Sequence, residues 1–324
     1  DDITFTQYDQ FGNVQTQNVR SYTDELKTIL KEYKEVVNDF GSLTSTADMT
    51  ARKKGNAKVS TVSRWLDASK SDSKWIDQTV MTTQSFDTLG RAVDQTQDIF
   101  VYKGTSLQQA SHNVITNLNY DNRGDAGMQE ITSFKVDGAL QTLIDYKVLT
   151  NRTYDASHNI SNQMILTYSD SSSTTPLDIQ ESRSIGFSQG VALQQILVTY
   201  SDLAKSSQIG VKEIKNSNIQ PNGNVGTRVI TNYASAAFVG GDTTKDIILP
   251  LTGALDRQTI TTDLFDNRGN ATHQTVFSEG FVSGVWTFSS MQDVTNDSID
   301  IHDQTLHSSV KSYSSAVVNS ANFT

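Results

Sequence analysis

The chain contains no cysteine, which excludes a disulfide framework, thiolate metal sites and a cysteine nucleophile. It has three prolines in 324 residues and no run of eighteen apolar residues, so no segment reads as a membrane-crossing helix. Charged residues make up 19%, below the usual quarter, so the polar character is not the high-charge signature of disorder. Only 36% of residues are hydrophobic; Ser, Thr, Asn, Asp and Gln dominate the rest, a balance suited to thin, well-solvated β-structure. The net charge of −10 disfavours nucleic-acid phosphate and anionic lipid as partners. No phosphate-binding glycine loop, dinucleotide fingerprint or metal-ligand spacing of histidines appears, so neither a cofactor nor a metal is expected.

A degenerate repeat of about 34 residues is present, T-x-x-x-[FY]-D-x-x-G-x-x-x-x-Q-x-x-x-x-[FY]. Its positions are Tyr8, Asp9, Gly12 and Gln17; Phe86, Asp87, Gly90 and Gln95; Tyr120, Asp121, Gly124 and Gln129. A fourth copy keeps Tyr154, Asp155 and Gln163 with His158 in place of glycine, and another has Phe265, Asp266, Gly269 and Gln274. A weaker one keeps Gly190 and Gln195 but has Gly186 where the aromatic should stand. In D-x-x-G, the aspartate can bond the backbone two residues on, and the glycine tolerates positive φ. With β-type residues on both sides, such as Val114-Ile115-Thr116 and Glu130-Ile131-Thr132, each copy predicts a β-hairpin.

The expected fold is therefore mainly β, an elongated array of antiparallel hairpins in which the aromatics stack and the glutamines form amide ladders. A helical insertion is expected near residues 22–70. Leu26, Ile29, Leu30, Tyr33, Val36, Val37 and Phe40 follow helical spacing, Ser21 and Asp24 resemble a capping box, and Gly41 supplies a stop. A second helix is expected from Val59 to Ser69 through Val62, Trp65 and Leu66. The resulting division is a first hairpin at 1–21, a helical insertion at 22–74, hairpin repeats at 75–215 and degenerate repeats at 216–324. In the last part, residues 216–227 around Pro221-Asn222-Gly223 read as a loop insertion, and 234–247 as an exposed turn or contact patch.

The strings Tyr8-Asp9-x-x-Gly12, Phe86-Asp87-Thr88-Leu89-Gly90-Arg91 and Tyr120-Asp121-x-x-Gly124 resemble the YD repeat of Rhs-type and teneurin-like surface proteins. The resemblance spans about half of the chain and implies a secreted or cell-surface array of β-hairpins, in that family a spiral able to wrap cargo. Arginine follows the turn glycine here only in the Gly90 copy.

Two short motifs point elsewhere. Gly186-Phe187-Ser188-Gln189-Gly190 matches the nucleophile elbow of α/β-hydrolases, yet a strand and not a helix is expected after it. Arg123-Gly124-Asp125 spells an adhesion tripeptide, though register with the repeat accounts for its first two residues. The sequence thus favours a non-enzymatic structural subunit of an extracellular or surface assembly. Because the array opens and closes in mid-repeat, it is expected to join other copies end to end. The alternative is an adhesin gripping a glycan or receptor through loops 216–227 and 234–247.

Overall fold

The computed structural model describes residues 1–22, 26–42, 45–238, 247–248 and 253–316. Eighteen long strands alternate with short turns in antiparallel order, with one α-helix among the described residues. The hairpin array expected from the repeat is what the chain builds. It falls into two compact units, one of residues 1–150 and 167–177, the other of 151–166 and 178–324.

In the first unit, β1 (Asp2–Tyr8), β2 (Val14–Tyr22), β3 (Leu30–Asp39) and β4 (Val59–Trp65) each pair with the next. The meander continues through β5 (Trp75–Phe86), β6 (Ala92–Lys103), β7 (Ser106–Tyr120), β8 (Ala126–Asp137) and β9 (Leu140–Tyr154). Pairing each strand with its sequence neighbour keeps the connections short apart from that between β3 and β4.

The segment expected to be helical is mostly strand. Residues 30–39 form β3, bonded to β2 on one side and β4 on the other, and the expected second helix is β4 itself. Local periodicity loses here to cross-strand packing. Tyr33 is buried, its hydroxyl donates to Asn18 Oδ1 at 2.7 Å, and its ring lies 6.1 Å from that of Trp65, which meets Trp75 at 4.4 Å. Leu26 and Ile29, two members of the supposed helical stripe, are exposed. Asp24 of the supposed cap lies outside the described residues.

The one helix, α1 (Thr46–Lys53), sits in the connection between β3 and β4. Ser45 caps it by accepting from the Asp48 N–H at 3.0 Å, while Arg52 and Lys53 occupy the last turn, where cations favour the helix dipole. The long interval between the Asp9 and Asp87 turns is thus a further hairpin, β3/β4, whose turn has been replaced by α1.

In the second unit, the tip of β9 and β10 (Ile160–Tyr168) precedes β11 (Asp178–Ser188), β12 (Val191–Tyr200), β13 (Gln208–Ile219) and β14 (Val225–Tyr233). The two-residue strands β15 (Ala237–Phe238) and β16 (Ile247–Ile248) pair with each other, after which β14 bonds to β17 (Ala254–Phe265). The run ends with β18 (Ala271–Val282), β19 (Val285–Ile299) and β20 (Thr305–Tyr313). The stretch 216–227 is therefore no insertion: it is the end of β13, a tight turn and the start of β14. Of the patch expected at 234–247, residues 239–246 lie outside the described residues.

The main hydrophobic core is in this unit. Met164, Ile179, Ile196, Val198, Tyr200 and Val211 pack beneath Ile247, with Leu166, Tyr233, Ala236 and Phe238 around them. Here β15 and β16 fold over the sheet and add a second apolar layer, the usual way for a sheet face to be buried.

Candidate functional site

The repeat's aspartates all do the same thing. In the turns opened by Asp9, Asp87, Asp121, Asp155 and Asp266, one carboxylate oxygen accepts from the N–H two residues on and from the N–H four residues on, each at 2.8–2.9 Å. The backbone closes the same loop, with the Asp N–H donating to the carbonyl four residues later at 2.9 Å. The fourth residue is left-handed, with φ of 83° at Gly12, 76° at Gly90 and 94° at Gly124 and Gly269; His158 takes the same conformation at 64°. This is the three-residue hairpin loop, a tight turn followed by a left-handed residue.

Sequence reading missed a sixth such turn. Asp300 accepts from the N–H groups of His302 and Gln304 at 2.8 and 2.9 Å, and Asp303 replaces the glycine with φ of 62°. Its signal was the 34-residue spacing from Asp266, hidden by the lost glycine. The Gln220–Asn224 turn has the same backbone closure, with Gly223 at φ 87° and Asn222 substituting for the aspartate as an acceptor.

Side chains tie neighbouring turns together. Arg91 holds Asp87 at 2.7 Å, donates to the Asp121 carbonyl at 3.2 Å and lies 4.5 Å from the centre of the Tyr120 ring. Arg268 reaches the Asp300 carbonyl and Asp303, the latter at 3.1 Å. At the first turn α1 takes this role: Arg52 donates to Asp9 at 2.8 Å, and Asn13 donates to the Arg52 carbonyl at 2.7 Å. Burial pushes the Asp9 carboxyl up, but the Arg52 hydrogen bond and those of the Asn13 and Phe11 N–H groups outweigh it and hold the group at about 2. Asp121 is held below its ordinary value chiefly by the Asp125 N–H.

The glutamines lie on the strands leaving the turns. Gln129 donates to Asn117 at 2.8 Å, Asn117 to Gln95 at 2.9 Å, and Gln95 to Thr83 at 3.3 Å, an amide chain crossing β8, β7, β6 and β5. Gln274 donates to Thr262 at 2.8 Å and Gln195 to Ser182 at 3.0 Å. Gln17 stands opposite Phe5 and Val36, and Gln163 lies in β10. The aromatics keep varied company: Phe86 packs under Lys58, Tyr120 under Arg91 and Tyr154 beside Arg152, while Tyr8 is exposed.

Both short motifs lie at hairpin turns. Ser188 ends β11 and pairs with Val191 across the two-residue turn Gln189-Gly190, so a strand follows where an elbow needs a helix. In the adhesion tripeptide, Arg123 pairs with Asp125 at 3.1 Å and with Asp121 at 3.4 Å. The histidines, which show no metal-ligand spacing, include several with carboxylate partners: His112 with Asp98, His307 with Asp297, and His273 with both Asp263 and Asp293. In the last two hairpins, an Asp three residues before the turn faces a His seven residues after its first residue.

Hollows recur beside the turns. One of about 680 Å³ includes Thr83, Phe86, Ala92 and Gln95 in its wall; another of about 310 Å³ includes Thr262, Phe265, Ala271 and Gln274. A third, of about 510 Å³, is bounded by Ser184, Phe187, Ala192 and Gln195, so Phe187, one residue after Gly186, supplies the aromatic of that repeat. No family model matches the chain, and the search of curated proteins finds no match.

Proposed function

We propose that the chain is a non-enzymatic structural subunit of an extracellular or cell-surface assembly whose copies associate through their β edges. The observation carrying this reading is β1. Its register partner is β2, and its Ile3, Phe5 and Tyr8 side chains are about half exposed. Apolar side chains exposed along a strand favour association with a further strand. Leu306 and Val310 on β20, whose register partner is β19, are similarly exposed. Every repeat aspartate is consumed by its own turn, which favours a scaffold role for the repeat over a chemical one. The likeness to YD-repeat surface proteins and the cysteine-free, acidic, polar make-up support placement outside the cell.

Sedimentation velocity and negative-stain imaging of the purified chain over a concentration series test this reading. Ordered oligomers that disappear in Phe5→Lys and Ile3→Pro variants are the expected result. A monomer at the highest attainable concentration overturns it.

A further inference from the structure

The three hollows are built from the same repeat positions. Counting from the aromatic before the turn, a hydroxyl residue stands three before, an alanine six after and a glutamine nine after, in both the Phe86 and Phe265 hairpins. In the Phe187 hairpin, whose turn is shorter, the alanine and glutamine each come one residue earlier. Alanine is the element that leaves space: a longer side chain at that position would occupy the hollow.

We propose that these hollows are grooves for a neutral saccharide chain. Among the described residues, none of the three has an Asp or Glu in its wall, although the protein carries 36 acidic residues. The polar wall consists largely of amides and hydroxyls. In the largest groove Asn38, Asn56, Asn122, Thr83 and Gln95 contribute them. Amides and hydroxyls both donate and accept, which matches sugar hydroxyls, and the Phe86 and Tyr120 rings, each with a cation over one face, add apolar surface to the wall for a sugar's C–H groups. Both arginines at this groove already have carboxylate partners, and the lysine is engaged by a backbone carbonyl. Arg91 is paired with Asp87, Arg123 with Asp121 and Asp125, and Lys54 donates to the Leu89 carbonyl at 2.7 Å. The volume of about 680 Å³ falls within the roughly 300–1,000 Å³ common for ligand sites.

Titration calorimetry of the full chain with maltohexaose, cellohexaose and chitohexaose tests the proposal. Binding of at least one is expected, weakened tenfold or more when Ala92, Ala192 and Ala271 are all changed to Ile. Should that variant lose its wild-type circular dichroism, the near-isosteric triple change of Gln95, Gln195 and Gln274 to Leu gives the same readout. Failure of all three hexasaccharides to bind, or binding unchanged in a folded variant, overturns the assignment. Neither result depends on whether copies self-associate.

Discussion

His273 Nδ1 lies 2.6 Å from an Asp263 carboxylate oxygen, joining β18 to β17, while the opposite ring nitrogen lies 2.7 Å from Asp293 on β19. The Asp263 hydrogen bond, followed by that of Asp293, raises the His273 pKa above its ordinary value. A raised histidine stabilises the fold fully below the unfolded value of about 6.5 and loses that contribution as pH rises through the folded value. Asp263, held low chiefly by the same bond, contributes above its unfolded value and loses that as pH falls. Thermal unfolding measured across pH should therefore show an alkaline-side decline that His273→Gln flattens. Parallel profiles for the two proteins would sink this account.

Asp9 provides the acid-side counterpart. Its pKa of about 2, against an ordinary 3.8, gives stability that is present above 3.8 and is lost as pH falls toward 2. Asp9→Asn should be less stable than wild type at neutral pH, because the Arg52 ion pair is gone, and the difference should vanish near pH 2. Unfolding midpoints in urea at matched pH values measure it.

Gly90 and Gly124 share a left-handed backbone but not their surroundings. A methyl at Gly124 meets nothing within 4 Å, so Gly124→Ala should cost about 1–2 kcal/mol for the conformation alone. At Gly90 the added carbon would stand 2.6 Å from the Ala51 backbone nitrogen in α1, so Gly90→Ala should cost a further 1–3 kcal/mol or so as the helix is displaced. Equal denaturation midpoints would contradict the close packing of α1 against this turn.

Glu181 is almost wholly buried, with Lys205 Nζ at 2.7 Å, the Tyr200 hydroxyl donating at 3.4 Å and Arg183 at 3.7 Å. Lys205→Met should cost about 3 kcal/mol, the lower end for breaking a buried pair, because Arg183 remains nearby. Adding Glu181→Gln to that variant should restore part of the loss. A double variant no more stable than the single one would show that the carboxylate's burial is not what the lysine offsets.

The turns were the legible part of this chain because their chemistry is local. An aspartate, two backbone N–H groups and one left-handed residue lie within five positions, so Asp87 and Asp121 announce their hairpins without help from the rest of the molecule. The same locality hid the Asp300 turn, where an aspartate had taken the glycine's place. Residues 30–39 failed for the opposite reason. Their apolar spacing suits a helix, and the partners that make them a strand, Arg20, Trp65 and the β4 backbone, come from other segments. The hollows were invisible for a further reason: alanine at a repeat position looks like mere degeneracy until the larger residues around it are seen in space.

The placement of α1 bears on how such a chain tolerates change. Between β3 and β4, a helix stands where the repeat's aspartate hairpins have a three-residue turn, yet the strands on either side keep unbroken register from Tyr33–Trp65 to Asp39–Val59. Length added at that edge is absorbed without being transmitted into the sheet. The turn edge is therefore a natural graft site, where a foreign epitope or a small domain could be carried while the strands below remain as they are.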